Sequence, residues 1–224
     1  MRGVIFDMDG TIVDNMMIHH RIWQRKLSEM GLDFTLEETM EKAHGVNIEF
    51  LRGFFGDRYT KQQLEKYAAE KESEYRATVA ASMPLVPGVI DLFNNLNANG
   101  VPMAIGSAAP PENVNFVLDT AHLRKYFTSI YHSGNVNKGK PNPEVYQSAA
   151  RDLGLPVTDC IVIEDSPIGA QTALNAGCPV VVITTTHSAK DFAGMENVVL
   201  FIDDFLAINT EVLSEAYERW TCQS

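Results

Sequence analysis

The chain has few cysteines, few basic residues and no long apolar run, and each shortage argues against a class of protein. Its three cysteines, Cys160, Cys178 and Cys222, are odd in number and lack the spacing of a metal or redox motif. We therefore expect reduced thiols, as in a cytoplasmic protein. Eighteen lysines and arginines against 29 aspartates and glutamates give a net charge of −11, which argues against nucleic acid and anionic membrane surfaces as partners. No apolar run approaches the roughly 20 residues that a membrane-spanning helix needs.

Two regions of the 224-residue chain differ in their hydrophobic pattern. Between about residues 16 and 81, four helical stretches follow one another without a strand, which is typical of a helical bundle. From Met83 onward, predicted strands alternate with predicted helices. That alternation indicates an α/β fold with a doubly wound parallel sheet.

The first predicted strand, Gly3–Phe6, leads directly into two acids separated by one residue, Asp7 and Asp9. In an extended chain side chains repeat at every second position, so the two carboxylates can converge on one small volume. Carboxylates crowded in this way repel each other unless a cation or a shared proton compensates. Taken alone, the pair is also compatible with a solvated turn or a helix cap. Because ligands of open parallel sheets bind beyond the carboxyl ends of strands, we favour a metal-assisted acid pair.

Three later segments place polar residues at the end of a predicted strand or in the loop that follows. Ser107 ends Met103-Ala104-Ile105-Gly106, Lys140 lies in Gly139-Lys140-Pro141, and Glu164-Asp165 ends Ile161-Val162-Ile163. Together with Asp-x-Asp-Gly-Thr at residues 7–11, they resemble, in the required order, the four motifs of the haloacid dehalogenase superfamily. The resemblance covers nearly the whole chain. It implies a Rossmann-like core domain at residues 1–14 and 83–224 and an inserted helical cap domain at residues 15–82.

The resemblance also implies roles for the acidic residues. Asp7 would be the nucleophile, forming an aspartyl-phosphate, and Asp9 would be the general acid and base. The carboxylates of Asp7, Glu164 and Asp165, with the backbone carbonyl of Asp9, would form an all-oxygen metal site suited to Mg²⁺. With no histidine or cysteine nearby in the sequence, zinc is disfavoured.

The other two motifs imply phosphate contacts. Ser107 would hold a phosphoryl oxygen, helped by backbone N–H groups such as that of Ala108. Lys140 would pair with the phosphoryl group and with the carboxylates. Without the motif context, Ser107 would be interpreted as a turn serine and Lys140 as a solvated loop lysine, like its neighbour Lys138. The Gly-Lys-Pro context selects Lys140.

Substrate contacts from the predicted cap are His19 and Lys71. His19 matches a cap histidine of the β-phosphoglucomutase branch, whereas His20 lies on the apolar stripe of its helix and is predicted to be packed. Lys71 falls on an inward-facing stripe, where its ammonium either meets substrate oxygens or snorkels to solvent. The stripe contains Leu64, Tyr67, Ala68 and Tyr75. A second acid pair, Asp203-Asp204, is interpreted differently, with Asp204 capping the helix that follows.

The nearest branches are β-phosphoglucomutase and its sugar-phosphate phosphatase relatives. A mutase must hold a second phosphate, but Ile48 stands where the mutase has a cap-loop arginine after Gly45-Val46, and Ala109-Pro110-Pro111 offers no side-chain donor. Arg52 could substitute only in part. We therefore predict a magnesium-dependent phosphatase, with the mutase as the alternative. Its partner would be a small phosphorylated metabolite, such as a sugar or polyol phosphate, and a monomer is favoured. Because all four motifs are intact, a catalytically silent binding protein is disfavoured.

Overall fold

The computed structural model of the chain describes residues 1–43 and 47–222, and it contains two compact units. One unit combines Met1–Asp14 with Pro84–Ser224, and the other is Asn15–Met83. Gly45 and Val46, which mark the place of the mutase's cap-loop arginine in the sequence, lie outside the described residues. The cap function of residues 15–82 stays a prediction.

The first unit is built on a sheet of six parallel strands among its described residues. The strands are β1 (Gly3–Phe6), β2 (Met103–Gly106), β3 (Phe127–Tyr131), β4 (Cys160–Glu164), β5 (Val180–Ile183) and β6 (Val198–Ile202). Their order across the sheet is β3-β2-β1-β4-β5-β6, and every neighbouring pair is parallel. The predicted doubly wound α/β fold is confirmed. The strand order reverses between β1 and β4, and doubly wound sheets bind their ligands beyond the carboxyl ends of strands at such a point.

The second unit contains four helices among its described residues. They are α1 (Met16–Glu29), α2 (Leu36–Lys42), α3 (Asn47–Phe55) and α4 (Lys61–Val79), with a short 3₁₀ turn at Gly56–Arg58. A capping box opens α4, since Gln63 N–H donates to Thr60 Oγ1 and Thr60 N–H donates to Gln63 Oε1. Large apolar side chains fill the interior of the unit, among them Trp23, Leu27, Leu51 and Leu64.

The described part of the first unit contains five further helices. They are α5 (Val89–Ala98), α6 (Pro111–Thr120), α7 (Glu144–Asp152), α8 (Pro167–Ala176) and α9 (Thr210–Thr221), with 3₁₀ turns at Arg124–Tyr126, Val157–Asp159 and Ala189–Phe192. The prediction that Asp204 caps the last helix is wrong. Asn209 is the residue before α9, and its side chain accepts from Val212 N–H. Asp204 instead accepts from Leu206 N–H within a tight turn.

Both faces of the sheet are packed against helices, as the buried apolar sequences of its central strands require. On one face Phe6 makes an edge contact with Phe93 of α5, with ring centroids 5.1 Å apart. On the other face Ile5 belongs to a buried cluster with residues of α7 and α8, including Ala149 and Ala173. None of the described helices combines the length and apolar character that crossing a membrane requires.

Candidate active site

Asp7 is fixed at the carboxyl end of the sheet by its own backbone. It directly follows β1, and its N–H donates to the carbonyl of Ile163 in β4, 2.9 Å away. Lys140 Nζ lies 2.7 Å from Asp7 Oδ1 and 2.5 Å from Glu164 Oε1. Asp7, Glu164 and Asp165 each offer an oxygen within 4.8 Å of the others, and all three are buried. The structure therefore brings residues from three of the four motifs into one cluster.

Glu164 holds this cluster together through both of its oxygens. Oε1 accepts from Lys140 Nζ and from Tyr146 Oη, which is 2.9 Å away. Oε2 accepts from the N–H groups of Asp165 and Ser166 and from Ser166 Oγ. A carboxylate offers about four lone-pair positions, and Glu164 already accepts five hydrogen bonds. Direct metal ligation by Glu164 would therefore cost existing hydrogen bonds, which favours Asp7 and Asp165 as the direct carboxylate ligands.

Two glycines permit this close packing. Gly10 has φ +78°, and a Cβ there would lie 2.1 Å from Asp165 Oδ2. Gly169, in the first turn of α8, sits against Glu164, so that a Cβ would lie 1.8 Å from the carboxylate carbon. Real Cβ atoms do not approach other atoms so closely. The site thus requires glycine at both positions, for backbone conformation at Gly10 and for space at both.

The charges in the cluster do not balance. Burial raises the pKa of Asp7 to about 8, with Lys140 acting against this rise and the charge of Glu164 adding to it. Burial, with the charges of Glu164 and Asp7, also raises the pKa of Asp165 well above its usual range. Although burial opposes the ammonium, Asp7 and Glu164 raise the pKa of Lys140. One cation faces three carboxylates, so additional positive charge would let Asp7 and Asp165 ionise near neutral pH.

Asp9 lies in the turn after β1, half-buried, where its backbone bridges to Val13. Its charge contributes to the raised pKa of Asp7, so the two carboxylates are near neighbours. The predicted convergence of the two acids at one strand end agrees with this arrangement. Catalytic roles for both residues stay predictions.

Ser107 and Ala108 follow β2, the neighbour of β1 on the other side. Ser107 is buried, its N–H donates to the carbonyl of Tyr131 and its Oγ accepts from Ala109 N–H. Ala108 is exposed in the same turn. Because parallel strands end at the same edge of a sheet, both residues lie at the edge that carries Asp7. Contact with a phosphoryl group stays a prediction for both.

The loop after β5 is a part of the site that the sequence analysis missed. The Thr185 hydroxyl donates to the carbonyl of Gly10, and the His187 Nδ1–H donates to the carbonyl of Asp165, 3.1 Å away. The Thr186 hydroxyl acts to lower the pKa of Asp165, against the effect of burial. A signal was present, because Thr-Thr-Thr-His directly follows an apolar strand, as Asp7 and Ser107 do.

His19 and Lys71 lie together inside the helical unit. Lys71 is 2% exposed, and its Nζ is 2.5 Å from His19 Nδ1 and 2.8 Å from Glu72 Oε1. The ammonium therefore does not snorkel to solvent. His19 stacks on Tyr75 with ring centroids 4.0 Å apart. His20 is buried, as predicted for a packed histidine. Substrate contacts by His19 and Lys71 stay predictions.

The comparisons with known proteins agree with this geometry. Residues 1–177 match the haloacid dehalogenase-like hydrolases. The chain is 32% identical to the plasmid-encoded protein CbbY of Cupriavidus necator, over 98% of this chain and 93% of that protein. It is 30% identical to hexitol phosphatase A of Escherichia coli, over 81% and 82% of the two chains.

The fold of the chain is also similar to that of a hydrolase of known crystal structure. A family IA, variant 3 hydrolase from Entamoeba histolytica superposes with a TM-score of 0.89 at 26% identity, covering 97% of this chain and 100% of that one. The predicted family and the prediction of an enzyme are confirmed, and the relative that is named as a phosphatase supports phosphomonoester hydrolysis. By its four motifs, its sheet order and these similarities, the chain belongs to the haloacid dehalogenase-like hydrolase family.

Proposed function

We propose that the chain is a magnesium-dependent phosphatase that hydrolyses a small phosphorylated metabolite through an aspartyl-phosphate on Asp7. The observation that carries this proposal is the buried contact of Lys140 with Asp7 and Glu164, beside Asp165. A sugar or polyol phosphate is the proposed substrate class. The similarity to hexitol phosphatase A over four fifths of the chain supports that class.

The residues present fit a divalent cation. Asp7 and Asp165 would hold it with the backbone carbonyl of Asp9, a donor set of oxygens alone that suits Mg²⁺. Among the described residues, the group of side chains that converges closely enough for a metal contains only carboxylates. When bound, magnesium would offset the negative charges of the phosphoryl group and of Asp7.

The chain's own residues would carry the reaction in two steps. Lys140 fixes one oxygen of Asp7 at 2.7 Å and so orients the carboxylate. Asp7 would form an O–P bond to the substrate as the ester P–O bond breaks, while Asp9 gives its proton to the leaving oxygen. Asp9 would then take a proton from water, whose oxygen bonds to phosphorus as the Asp7–P bond breaks. The products are an alcohol and inorganic phosphate.

The β-phosphoglucomutase reaction is the second candidate, favoured by the exposed guanidinium of Arg52 about one turn beyond Ile48 on α3. It is ranked second because the segment after Ser107 offers no side-chain donors. Ala109 is buried, and its carbonyl accepts from both the N–H and the hydroxyl of Ser133. A lost charge-assisted contact costs about 1.5–3 kcal/mol, so a second phosphate would be held weakly.

A screen of phosphorylated metabolites with magnesium, followed by phosphate release, tests the proposal. We expect release from one or more sugar or polyol monophosphates and none after chelation of the metal. A trace of glucose 1,6-bisphosphate should not activate rapid conversion of β-glucose 1-phosphate to glucose 6-phosphate. Conversion without phosphate release would contradict the phosphatase and favour the mutase.

A further inference from the structure

Tyr146 of α7 contacts three of the four motif segments. Its ring lies 2.7 Å from the position that a Cβ on Gly106 would occupy, directly before Ser107. Its hydroxyl donates to Glu164 Oε1 at 2.9 Å. The Lys140 ammonium lies over the ring, with Nζ 4.9 Å from the centroid. The side chain is completely buried. One residue outside the motifs therefore joins the ends of β2 and β4 to the lysine loop.

The hydroxyl and the ammonium share one acceptor oxygen. Glu164 Oε1 accepts hydrogen bonds from Tyr146 Oη and Lys140 Nζ. The same ammonium also donates to Asp7 Oδ1. Lys140 is carried by a loop, so its long side chain depends on its contacts for a fixed position. Those contacts are two carboxylates and the face of the Tyr146 ring, a favourable surface for a cation.

We propose that Tyr146 is a positioning residue of the reaction, whose hydroxyl fixes Glu164 Oε1 and thereby holds the Lys140 ammonium against Asp7. This inference rests on the proposed phosphatase function. A purely structural role would need only the ring, because phenylalanine fills the same space against Gly106 and presents the same face to Lys140. The hydroxyl is the part that acts on the reaction.

Tyr146→Phe separates the two roles. With p-nitrophenyl phosphate and magnesium, we expect kcat to fall about tenfold, the effect of losing one hydrogen bond to a charged group. KM should change less than about twofold, because the variant leaves Ser107 and the backbone N–H of Ala108 unaltered. The thermal midpoint should shift by no more than about 4 °C. As a matched control, Tyr126→Phe removes a hydroxyl that donates to Asn94 Oδ1 on the surface, and it should leave kcat unchanged.

A second variant restores the donor. Replacement of Tyr146 by 4-aminophenylalanine returns an N–H group to the position of the hydroxyl, and we expect it to recover most of the lost kcat. Recovery of kcat would support positioning by the donor.

Three results would overturn the inference: unchanged kcat in Tyr146→Phe, a rise in KM alone, or a loss of kcat that 4-aminophenylalanine does not reverse. Failure of Tyr146→Phe to fold would likewise assign the hydroxyl to stability instead. Inactivity of the wild-type protein toward every phosphomonoester would contradict the proposed function itself, which distinguishes the two failures.

Discussion

Lys140 Nζ lies 2.7 Å from Asp7 Oδ1, although 133 positions separate the two residues in the chain. The contact forms because β1 and the loop after β3 reach the same edge of one parallel sheet. The contact with Lys140 alone does not keep Asp7 ionised at neutral pH, because burial raises the pKa of Asp7 to about 8. A nucleophilic carboxylate at neutral pH therefore needs positive charge beyond that of Lys140, which a divalent cation would supply.

Asp7→Asn should abolish turnover, because an amide is not a competent nucleophile toward phosphorus. We expect kcat to fall by about 10⁴-fold or more, while the fold is retained, since the amide oxygen still accepts from Lys140. Circular dichroism and thermal unfolding would check the fold. Asp57→Asn, at an exposed position of the helical unit, is the matched control and should leave kcat unchanged. Wild-type turnover in Asp7→Asn would rule out the nucleophile.

Gly10→Ala should damage both stability and activity. The φ of +78° disfavours alanine, and the new Cβ would lie 2.1 Å from Asp165 Oδ2. We expect a loss of about 2–4 kcal/mol in the free energy of unfolding, with a large fall in kcat. Gly194→Ala has a similar φ of +84° in open space, and it should cost only about 1–2 kcal/mol with activity intact. Equal behaviour of the two variants in urea unfolding and in kcat would contradict the packing at Asp165.

Gly169→Ala should disturb Glu164 without straining the backbone, since the position is helical. Its Cβ would lie 1.8 Å from the Glu164 carboxylate carbon, so Glu164 and its Lys140 contact must move. We expect kcat to fall at least about tenfold and stability to fall by about 1–3 kcal/mol. In Gly53→Ala, within α3, the Cβ meets nothing within 4 Å. This control should stabilise by about 0.5–1 kcal/mol. A neutral Gly169→Ala would refute the described geometry.

The buried His19 should make stability fall as pH falls. Burial, followed by the charge of Lys71, lowers the pKa of His19 to about 3, from 6.5. Between pH 6.5 and about pH 3 the folded state keeps the His19 ring neutral, whereas the ring in the unfolded chain binds a proton. The contribution of the neutral ring to stability is therefore complete above pH 6.5. Protonation of His19 in the unfolded chain should lower the free energy of unfolding by about 2 kcal/mol between pH 7 and pH 5.

Urea unfolding at the two pH values measures this loss. The fall in the free energy of unfolding should be about 2 kcal/mol smaller in His19→Gln than in the wild type. His122→Asn removes an exposed histidine and should behave as the wild type does. Identical pH dependence in His19→Gln and the wild type would contradict the buried neutral histidine.

Local sequence patterns were enough to predict the sheet and the strand ends that carry the motifs. β1 coincides with the apolar run Gly3–Phe6. α8 begins at Pro167 and ends before Gly177, as the local preferences of proline and glycine at helix ends indicate. Cap residues were predictable where the signal is local, as at Thr60 and Gln63. The prediction failed at Asp204, because an aspartate side chain accepts from a backbone N–H two residues on in a tight turn as readily as at a helix start.

The supporting residues of the site could not be predicted in the same way. Tyr146 reads as one more apolar position of an amphipathic helix, and only the fold brings its hydroxyl to Glu164. The contact of Thr185 with Gly10 spans 175 positions. The sequence likewise leaves the direction of the Lys71 ammonium open, since a helical stripe defines a face but not the partner that the side chain meets.

Chemical trapping of the phosphorylated residue tests the central claim most directly. The wild-type protein would turn over p-nitrophenyl phosphate with magnesium and be quenched with borohydride, which reduces an acyl phosphate to an alcohol. Mass spectrometry of the peptides then locates the reduced residue. The proposed mechanism predicts reduction at Asp7, dependent on both substrate and magnesium. Turnover with an unmodified Asp7, or with reduction at another residue, would contradict it.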